Sequence, residues 1–292
     1  MSGIALLGAI EIGLVFGLVA LGVYLSFRVL QFPDLTVDGS FPLGAAVAAT
    51  LIVHRVDPWL ATAAAALAGA LAGLATAWLN LHLRILNLLA SILTMIALYS
   101  INLRIMGRPN VALLGEETVL SALQDRAIPA YVLTPLAFAV AVFAIKWLLD
   151  RFLASELGLA LRATGANPRM ARAQGIRTEQ AILSGMALSN ALVALAGALF
   201  AQSQGSADVT MGVGVIVVGL AAVIGGEALL NPRTVIWATT ACILGSLLYR
   251  LIVALALNAD FLGLQAQDLN LITAALVAVA LVLPRLRSGP AR

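Results

Sequence analysis

Long apolar segments alternate with short polar connections along the whole chain. A helix needs about 20 apolar residues to cross the ~30 Å hydrocarbon layer of a bilayer. Segments of this kind lie at residues 4–27, 41–56, 59–80, 85–106, 128–149, 179–201, 212–230, 233–257 and 269–283. The second, seventh and ninth are short, which indicates broken or re-entrant helices. The pattern predicts an all-α polytopic membrane protein with about nine spans, eight and ten being the alternatives, in a single domain over residues 1–292.

The composition agrees with a membrane location and excludes several kinds of site. Only 11% of the 292 residues are charged, whereas soluble domains carry about 25%. The single cysteine, Cys242, excludes an internal disulfide framework, and His54 and His82 lie without partner ligands, so we expect no metal site. The arginines are scattered over short loops without interleaved aromatic residues. We therefore expect membrane lipid, and not nucleic acid, around this chain.

The distribution of basic residues predicts the orientation of the chain in the membrane. The longest polar connection runs from Asp150 to Thr178 and contains five arginines, so the positive-inside rule places it in the cytoplasm. Alternation of the spans then places the N-terminus outside and the C-terminus in the cytoplasm. The acidic loops 107–127 and 258–268 fall outside, and the remaining basic connections fall inside with Arg28, Arg84, Arg233, Arg285, Arg287 and Arg292.

The cytoplasmic segment 155–176 has the punctuation of two short helices. The first is predicted over Glu156–Thr164 and the second over Pro168–Gln174, with Asn167 as the N-cap of the second and Gly175 just beyond its end. Arginines and small residues, among them Gly165, alternate along the segment, and small residues allow another protein to approach closely. The alternative is a positive loop that only fixes the topology of the chain.

The pattern G-x-x-L-R-A-x-G-x-N-x-x-x-A-x-x-x-G-I, from Gly158 to Ile176, resembles the coupling segment of ABC importer permeases of the branched-chain amino acid and ribose type. In that family the segment docks into a groove on the ATP-binding subunit. The resemblance implies a type II ABC importer fold. It also implies contact with the ATPase through Glu156, Gly158, Arg162, Ala163, Gly165, Asn167, Arg169, Arg172 and Gly175. The stretch 169–172 is more basic than is usual in the family, which leaves the identity of the ATPase open.

The chain has no G-x-x-x-x-G-K-[ST] phosphate loop, and its only lysine is Lys146. We therefore expect no enzymatic activity and no bound cofactor in this chain, because ATP and Mg²⁺ would bind to a separate ATPase subunit. The resemblance further implies an extracytoplasmic solute-binding protein, a second permease copy or paralogue, and the bacterial inner membrane as the location.

Two polar stretches share a pattern that predicts an internal repeat. Asp34–Val47 and Asp208–Val223 both begin with Asp–apolar–Thr, pass through glycines and enter a Gly-small-small-Val helix. Five spans separate them, so the two stretches would have opposite orientations, as in inverted-topology repeats whose broken helices mark the transport path. We expect repeats over about 4–149 and 179–283, with the two interruptions near the inner and outer mouths of the path. The alternative is that the polar residues only cap helix ends.

Polar side chains within the membrane are costly and are candidates for a functional site. The pathway candidates are Asp34, Thr36, Asp38, Asn87, Ser91, Thr94, Asn190, Asp208 and Thr210. Three of them, Asn87, Ser91 and Thr94, recur on one face of a single helix. The alternative is that such residues join neighbouring helices through hydrogen bonds, each contributing about 0.6 kcal/mol.

The stretch 31–44 resembles a branch of the permease family that works with binding proteins for aromatic or related amino acids. This resemblance implies a small polar solute. The narrowest expectation is an amino acid of the aromatic class. The alternative function is an ion-coupled secondary transporter, which would need a relay of ionisable groups such as Asp34, Asp38 and Glu227. An intramembrane enzyme is disfavoured, because the sequence contains neither G-x-S-x-G nor H-E-x-x-H.

Overall fold

The computed structural model describes residues 3–121 and 130–257, most of which are helical. The helices are α1 (Gly3–Val23), α2 (Val37–Val53), α3 (Pro58–Leu83), α4 (Asn87–Met106), α5 (Ala130–Ala154), α6 (Glu156–Ala166), α7 (Pro168–Ala173), α8 (Thr178–Gln204), α9 (Val215–Leu230) and α10 (Val235–Leu257). A π-helical segment, Tyr24–Val29, continues α1, and two short strands, β1 (Asn110–Ala112) and β2 (Ser206–Asp208), form an antiparallel pair.

Six helices of the described part are long and apolar enough to cross a membrane: α1 with its π segment, α3, α4, α5, α8 and α10. The polytopic all-α membrane protein is therefore confirmed. Two apolar helices, α2 and α9, are only 17 and 16 residues long, which confirms that the second and seventh segments are short. The predicted ninth segment, the loop 258–268 and the C-terminal tail lie outside the described residues.

The helix α1 lies at the centre of the bundle, where glycines allow other helices to approach it. A Cβ atom at Gly22 would lie 2.7 Å from the carbonyl oxygen of Ser189 in α8. At Gly13 it would lie 3.2 Å from the Cα atom of Leu247 in α10. Leu18, Val19 and Leu21 are fully buried in these contacts, so the second half of α1 has almost no surface left for lipid.

The two ends of the bundle are clearly separated. At one end, which we term the coupling end, α6 packs against Val29 at the end of the π segment, and Arg28 forms an ion pair with Glu227 at the end of α9. At the other end, which we term the sheet end, β1 and β2 join the connections that follow α4 and α8. The Ser203 hydroxyl donates to Glu11 at the same end.

The short helices α2 and α9 both begin in the middle of the bundle. The Ser40 hydroxyl, in the first turns of α2, donates to Asn190, the thirteenth of the 27 residues of α8. From that depth α2 runs to the sheet end, where Thr50 donates to the Ile105 carbonyl. The helix α9 runs to the coupling end, where Glu227 meets Arg28. Non-helical links therefore cover the other half of the depth before each helix: the first link is residues 30–36 and the second is residues 209–214.

Helix α2 begins at Val37, four residues before the predicted start at residue 41. The four added residues include Asp38 and Gly39, which are poor helix formers, and Pro42 lies inside the helix. The carbonyl of Asp38, which Pro42 leaves without its usual N–H partner, lies in close contact with the backbone of Gly212. The first turns of α2 are therefore in close contact with the second link.

The two interruptions meet each other in the middle of the bundle. The Asp38 carboxylate accepts hydrogen bonds from the backbone N–H groups of Gly214 at 3.3 Å and Ile216 at 2.7 Å. It therefore caps the N-terminus of α9 across the bundle. The two interruptions therefore start from opposite ends of the bundle and meet in its middle, where the N-termini of the two short helices converge.

Candidate functional site

A buried polar network holds the first link in place. The Asp34 carboxylate accepts from the Thr36 N–H at 2.9 Å and from the Asn190 amide at 2.8 Å. The amide oxygen of Asn190 accepts from Ser40 at 2.7 Å, and the hydroxyls of Thr36 and Thr76 lie 2.7 Å apart. All five side chains are fully buried. The network ties the link to α8 and α3, and its polar groups satisfy one another within the bundle.

The geometry of this network favours the capping and joining alternative for three pathway candidates, Asp34, Thr36 and Asn190. Each has its hydrogen-bonding groups satisfied by other groups of the protein, which leaves none of them in need of a solute. We conclude that these residues position the first link, which in turn sets where α2 begins.

A cavity of about 450 Å³ lies between the first turns of α2, one face of α4 and the second link. It is therefore next to the point where the N-termini of α2 and α9 converge. Its polar lining consists of Asp38, Tyr99, Ser100, Asn102 and Thr210, and its apolar lining includes Pro42, Met95 and Val213. The volume is typical of a small-molecule site, for which cavities of roughly 300–1,000 Å³ are usual.

Two pathway candidates, Asp38 and Thr210, line this cavity, and a third, Asp208, lies just beyond it. Asp208 accepts from the N–H and the hydroxyl of Thr210 at 2.8 and 2.6 Å, and Asn110 donates to its other oxygen at 3.3 Å. These hydrogen bonds, that of the Thr210 hydroxyl first, lower the pKa of the partly exposed Asp208 carboxyl. Asp208 is therefore a negative charge at neutral pH, held at the sheet end of the link.

Helix α4 presents a polar stripe, but the predicted part of it is not the part that reaches the cavity. Asn87 accepts from the Asn80 amide at 2.6 Å. Ser91 and Thr94 donate to carbonyls of their own helix at 2.9 and 3.0 Å. Two turns further on, Asn102 is buried at the cavity wall. The same spacing of three and four residues, continued past Thr94, would have indicated Asn102.

The segment 155–176 forms the two predicted helices with the predicted punctuation. The side chain of Asn167 accepts from the N–H groups of Arg169 and Met170, both at 3.1 Å, and so caps α7. Gly175 follows α7 with φ of +83°. Glu156, Arg162, Asn167, Arg169, Arg172 and Gly175 are exposed, Ala163 is half-buried, and Gly158 and Gly165 are buried.

The expectation that Gly165 allows another protein to approach is wrong, because it faces its own chain. A Cβ atom at Gly165 would lie 1.8 Å from the carbonyl oxygen of Val29, and one at Gly158 would lie 2.2 Å from that of Phe152. These two glycines seat α6 against the ends of α1 and α5. A bulky residue at position 165 would therefore displace α6 within the chain.

The fold and this segment together agree with a known family of transport proteins. Residues 5–283 match the family described as the permease component of the branched-chain amino acid transport system. The chain belongs to this family. As a permease it is a multi-pass membrane component of an amino acid transport system, and the resemblance found in the sequence is confirmed.

Two relatives cover almost the whole permease. The tyrosine transport system permease protein of Clostridioides difficile (strain R20291) is 39% identical over 278 residues, which is 95% of this chain and 90% of the relative. An uncharacterized protein of Rickettsia prowazekii (strain Madrid E) is 34% identical over 282 residues, 94% of this chain and 96% of the relative. No solved structure matches the permease significantly.

Metal ligation is not indicated by the described part of the permease. Among residues 3–121 and 130–257, no three His, Cys, Asp or Glu side chains lie together as a metal site would require. Cys242 is buried. The polar chemistry available at the cavity is therefore that of carboxylate, amide and hydroxyl groups.

Proposed function

We propose that the chain is the membrane-spanning permease subunit of an ATP-driven ABC importer for an aromatic amino acid, with tyrosine as the solute to test first. The observation that carries the proposal is the α6–α7 segment, a short helical pair outside the membrane helices whose exposed side suits a partner protein. The name of the Clostridioides difficile relative supports the solute.

The exposed side of α6 and α7 combines apolar and basic groups. Leu157, Leu159 and Met170 have exposed fractions of 72%, 53% and 63%. Beside them, the arginines 162, 169 and 172 are exposed. Apolar side chains of this size on a surface that faces water are typical of protein interfaces. An ATPase subunit, which would bind ATP and Mg²⁺, is the partner that the coupling resemblance implies.

The inner side of α6 provides a route for force from such a partner into the membrane helices. Gly165 contacts Val29 at the end of the π segment, and Leu161 is fully buried close to Gly185 in α8. Movement of α6 would therefore act on α1 and α8 together. Next to this contact, Arg28 pairs with Glu227 and so joins α1 to the end of α9, whose other end is the capped N-terminus near the cavity.

The opposite directions of α2 and α9 support the inverted repeat and the type II importer fold with about nine segments. Both helices follow a non-helical link that opens with the same turn, in which the Thr N–H donates to the Asp two residues earlier, at 2.9 Å in the first link and 2.8 Å in the second. In such repeats the broken helices meet at the solute path near the middle of the membrane. A second copy or a paralogue would complete the path.

The location and orientation follow from the same proposal. With the ATPase in the cytoplasm, the coupling end is the cytoplasmic end and the sheet end faces outward in a bacterial inner membrane. An extracytoplasmic binding protein would deliver the amino acid to the sheet end. The N-terminus would lie outside and the C-terminus in the cytoplasm.

The ion-coupled alternative is less well supported, because the carboxylates it needs are occupied. Asp34 accepts from Asn190 and Thr36, and Glu227 is paired with Arg28 at the coupling end. Asp38 caps α9. Each carboxylate therefore has a positioning contact that a proton or ion relay would have to break.

Co-purification with the neighbouring ATP-binding protein tests the proposal. The wild-type chain should form a stoichiometric complex in detergent that hydrolyses ATP and, in liposomes with the binding protein, takes up tyrosine. Arg162→Glu should reduce complex formation about 10-fold or more, because it reverses the charge of a residue that we propose to contact the ATPase. Arg233→Glu, an exposed arginine outside α6 and α7, is the matched control and should leave the complex intact. A chain that purifies alone and takes up tyrosine down an ion gradient would contradict the proposal.

A further inference from the structure

The cavity beside the converging helix ends contains a hydrogen-bond acceptor without a partner. Asn102 is fully buried, and its Nδ2 atom donates to the carbonyl oxygen of Gly39 at 3.2 Å. This bond fixes the orientation of the amide group. The other amide atom, Oδ1, has no hydrogen-bond partner among the residues that the structure describes. A buried acceptor in this state is unfavourable unless a ligand supplies the donor.

The wall next to Asn102 carries a negative charge. Each oxygen of the Asp38 carboxylate accepts one backbone N–H group at the start of α9, from Gly214 and Ile216. A carboxylate can accept about four hydrogen bonds, so Asp38 keeps the capacity for more. The two helix ends therefore do not offer an anion site here, because Asp38 already neutralises the N-terminus of α9. Two acceptors, one of them charged, suit a ligand with a cationic donor.

The remaining wall of the cavity is mainly apolar and contains one aromatic ring. Pro42, Met95, Val213 and Tyr99 all line it, and the side chains of Tyr99 and Val213 are 52% and 79% exposed. An aromatic ring packs favourably against such a surface. A polar group on the ring, such as a hydroxyl, needs a hydrogen-bond partner when it is buried. The site therefore combines a cation-binding end with a surface for a ring.

We propose that this cavity is a binding site for the solute within the membrane. It binds the ammonium group of an aromatic amino acid through Asn102 Oδ1 and Asp38, and the ring packs against Pro42, Met95 and Tyr99. The proposal rests on the proposed function, because it assumes that the solute is an amino acid. It goes beyond the proposed function by naming the ammonium group as the part of the solute that the permease recognises, independently of the binding protein.

The test uses the purified permease–ATPase complex without its binding protein. Thermal unfolding is measured in detergent against increasing concentrations of three probes: tyrosine, tyramine, which lacks the carboxylate, and 3-(4-hydroxyphenyl)propionate, which lacks the ammonium group. Tyrosine and tyramine should raise the unfolding temperature, since a ligand that binds the folded state stabilises it. The propionate should produce no shift at the same concentrations.

The variant Asn102→Leu should weaken the binding of tyrosine and tyramine about 10-fold or more, because it removes a hydrogen bond to a charged group. Thr240→Val is the matched control, since that hydroxyl donates within its own helix to the Ile236 carbonyl, and it should bind like the wild type. Should Asn102→Leu not fold, the comparison of tyramine with the propionate on the wild-type complex decides the question.

Three outcomes would overturn the inference: no shift with tyrosine, equal shifts with tyramine and the propionate, or wild-type binding by Asn102→Leu. Uptake of tyrosine by the same complex in liposomes distinguishes failure of the proposed membrane site from failure of the proposed function. Uptake without any shift leaves the proposed function standing and removes the membrane site. Absence of uptake with the binding protein present overturns the proposed solute, and the inference with it.

Discussion

The same local turn has two different roles in the two links. In each, an aspartate accepts the N–H of the threonine two residues later, which is the usual behaviour of Asp in turns. Asp34 is fully buried and also holds Asn190, whereas Asp208 is partly exposed and holds Asn110. Burial, and not the motif, therefore decides how much each aspartate contributes to stability.

Substitution of Asp34 by Ala should destabilise the protein markedly. It leaves the Thr36 N–H and one of the two N–H groups of the Asn190 amide, the other of which donates to the Met186 carbonyl, without an acceptor in the interior, at about 1–3 kcal/mol for each orphaned group. Asp208→Ala is the matched control at the same place in the second link, and solvent can replace its hydrogen bonds, so it should cost less than about 1 kcal/mol. Thermal unfolding of the two variants in detergent measures the difference, and equal losses would contradict this account of Asp34.

The sequence predicted much at the scale of residues, and its failures have physical causes. The N-cap role of Asn167 and the helix end before Gly175 follow from local rules and are confirmed. Asn102 was not predicted as a site residue because its neighbours, Ile101 and Leu103, are typical of a membrane helix. Only its spacing from Thr94 distinguishes it. The contact of Gly165 with Val29 could not be predicted, because it joins parts of the chain that are distant in sequence.

At the scale of elements, the apolar pattern located the described membrane helices, while the positions of the short helices depended on tertiary contacts. The start of α9 at Val215 and that of α2 at Val37 are set where the two links meet, through Asp38 and Gly212. Helix packing likewise depends on glycines whose neighbours the sequence does not show. The helices α3 and α8 are held together in this way by Gly69 and Gly73.

Gly73→Ala should separate α3 from α8. A Cβ atom at position 73 would lie 2.1 Å from the carbonyl oxygen of Met186, so the backbones must move apart, at a cost of about 1–3 kcal/mol. Gly225→Ala in α9 is the matched control, because no atom from elsewhere in residues 3–121 and 130–257 lies within 4 Å of a Cβ atom there. Thermal unfolding of both variants measures the effect, and equal stability of the two would show that α3 and α8 are not in close contact.

At the scale of the whole molecule, the two ends of the bundle differ in the partners they can accept. The coupling end carries the exposed side of α6 and α7, with its arginines and exposed leucines. The sheet end carries the acidic connection near Glu116 and Glu117 and the exposed Leu114. An importer needs this asymmetry, because its ATPase and its binding protein work on opposite sides of the membrane.

Single cysteines at the two ends should therefore be labelled from opposite sides. Cys242 is buried, so it contributes little background to labelling with a membrane-impermeant maleimide. Leu114 is 88% exposed, so Leu114→Cys should be labelled in right-side-out spheroplasts. Ala173→Cys, on the exposed side of α7, should be labelled only in inside-out vesicles. The reverse pattern would place α6 and α7 outside the cell, where no ATPase could reach them, and would contradict both the positive-inside assignment and the importer.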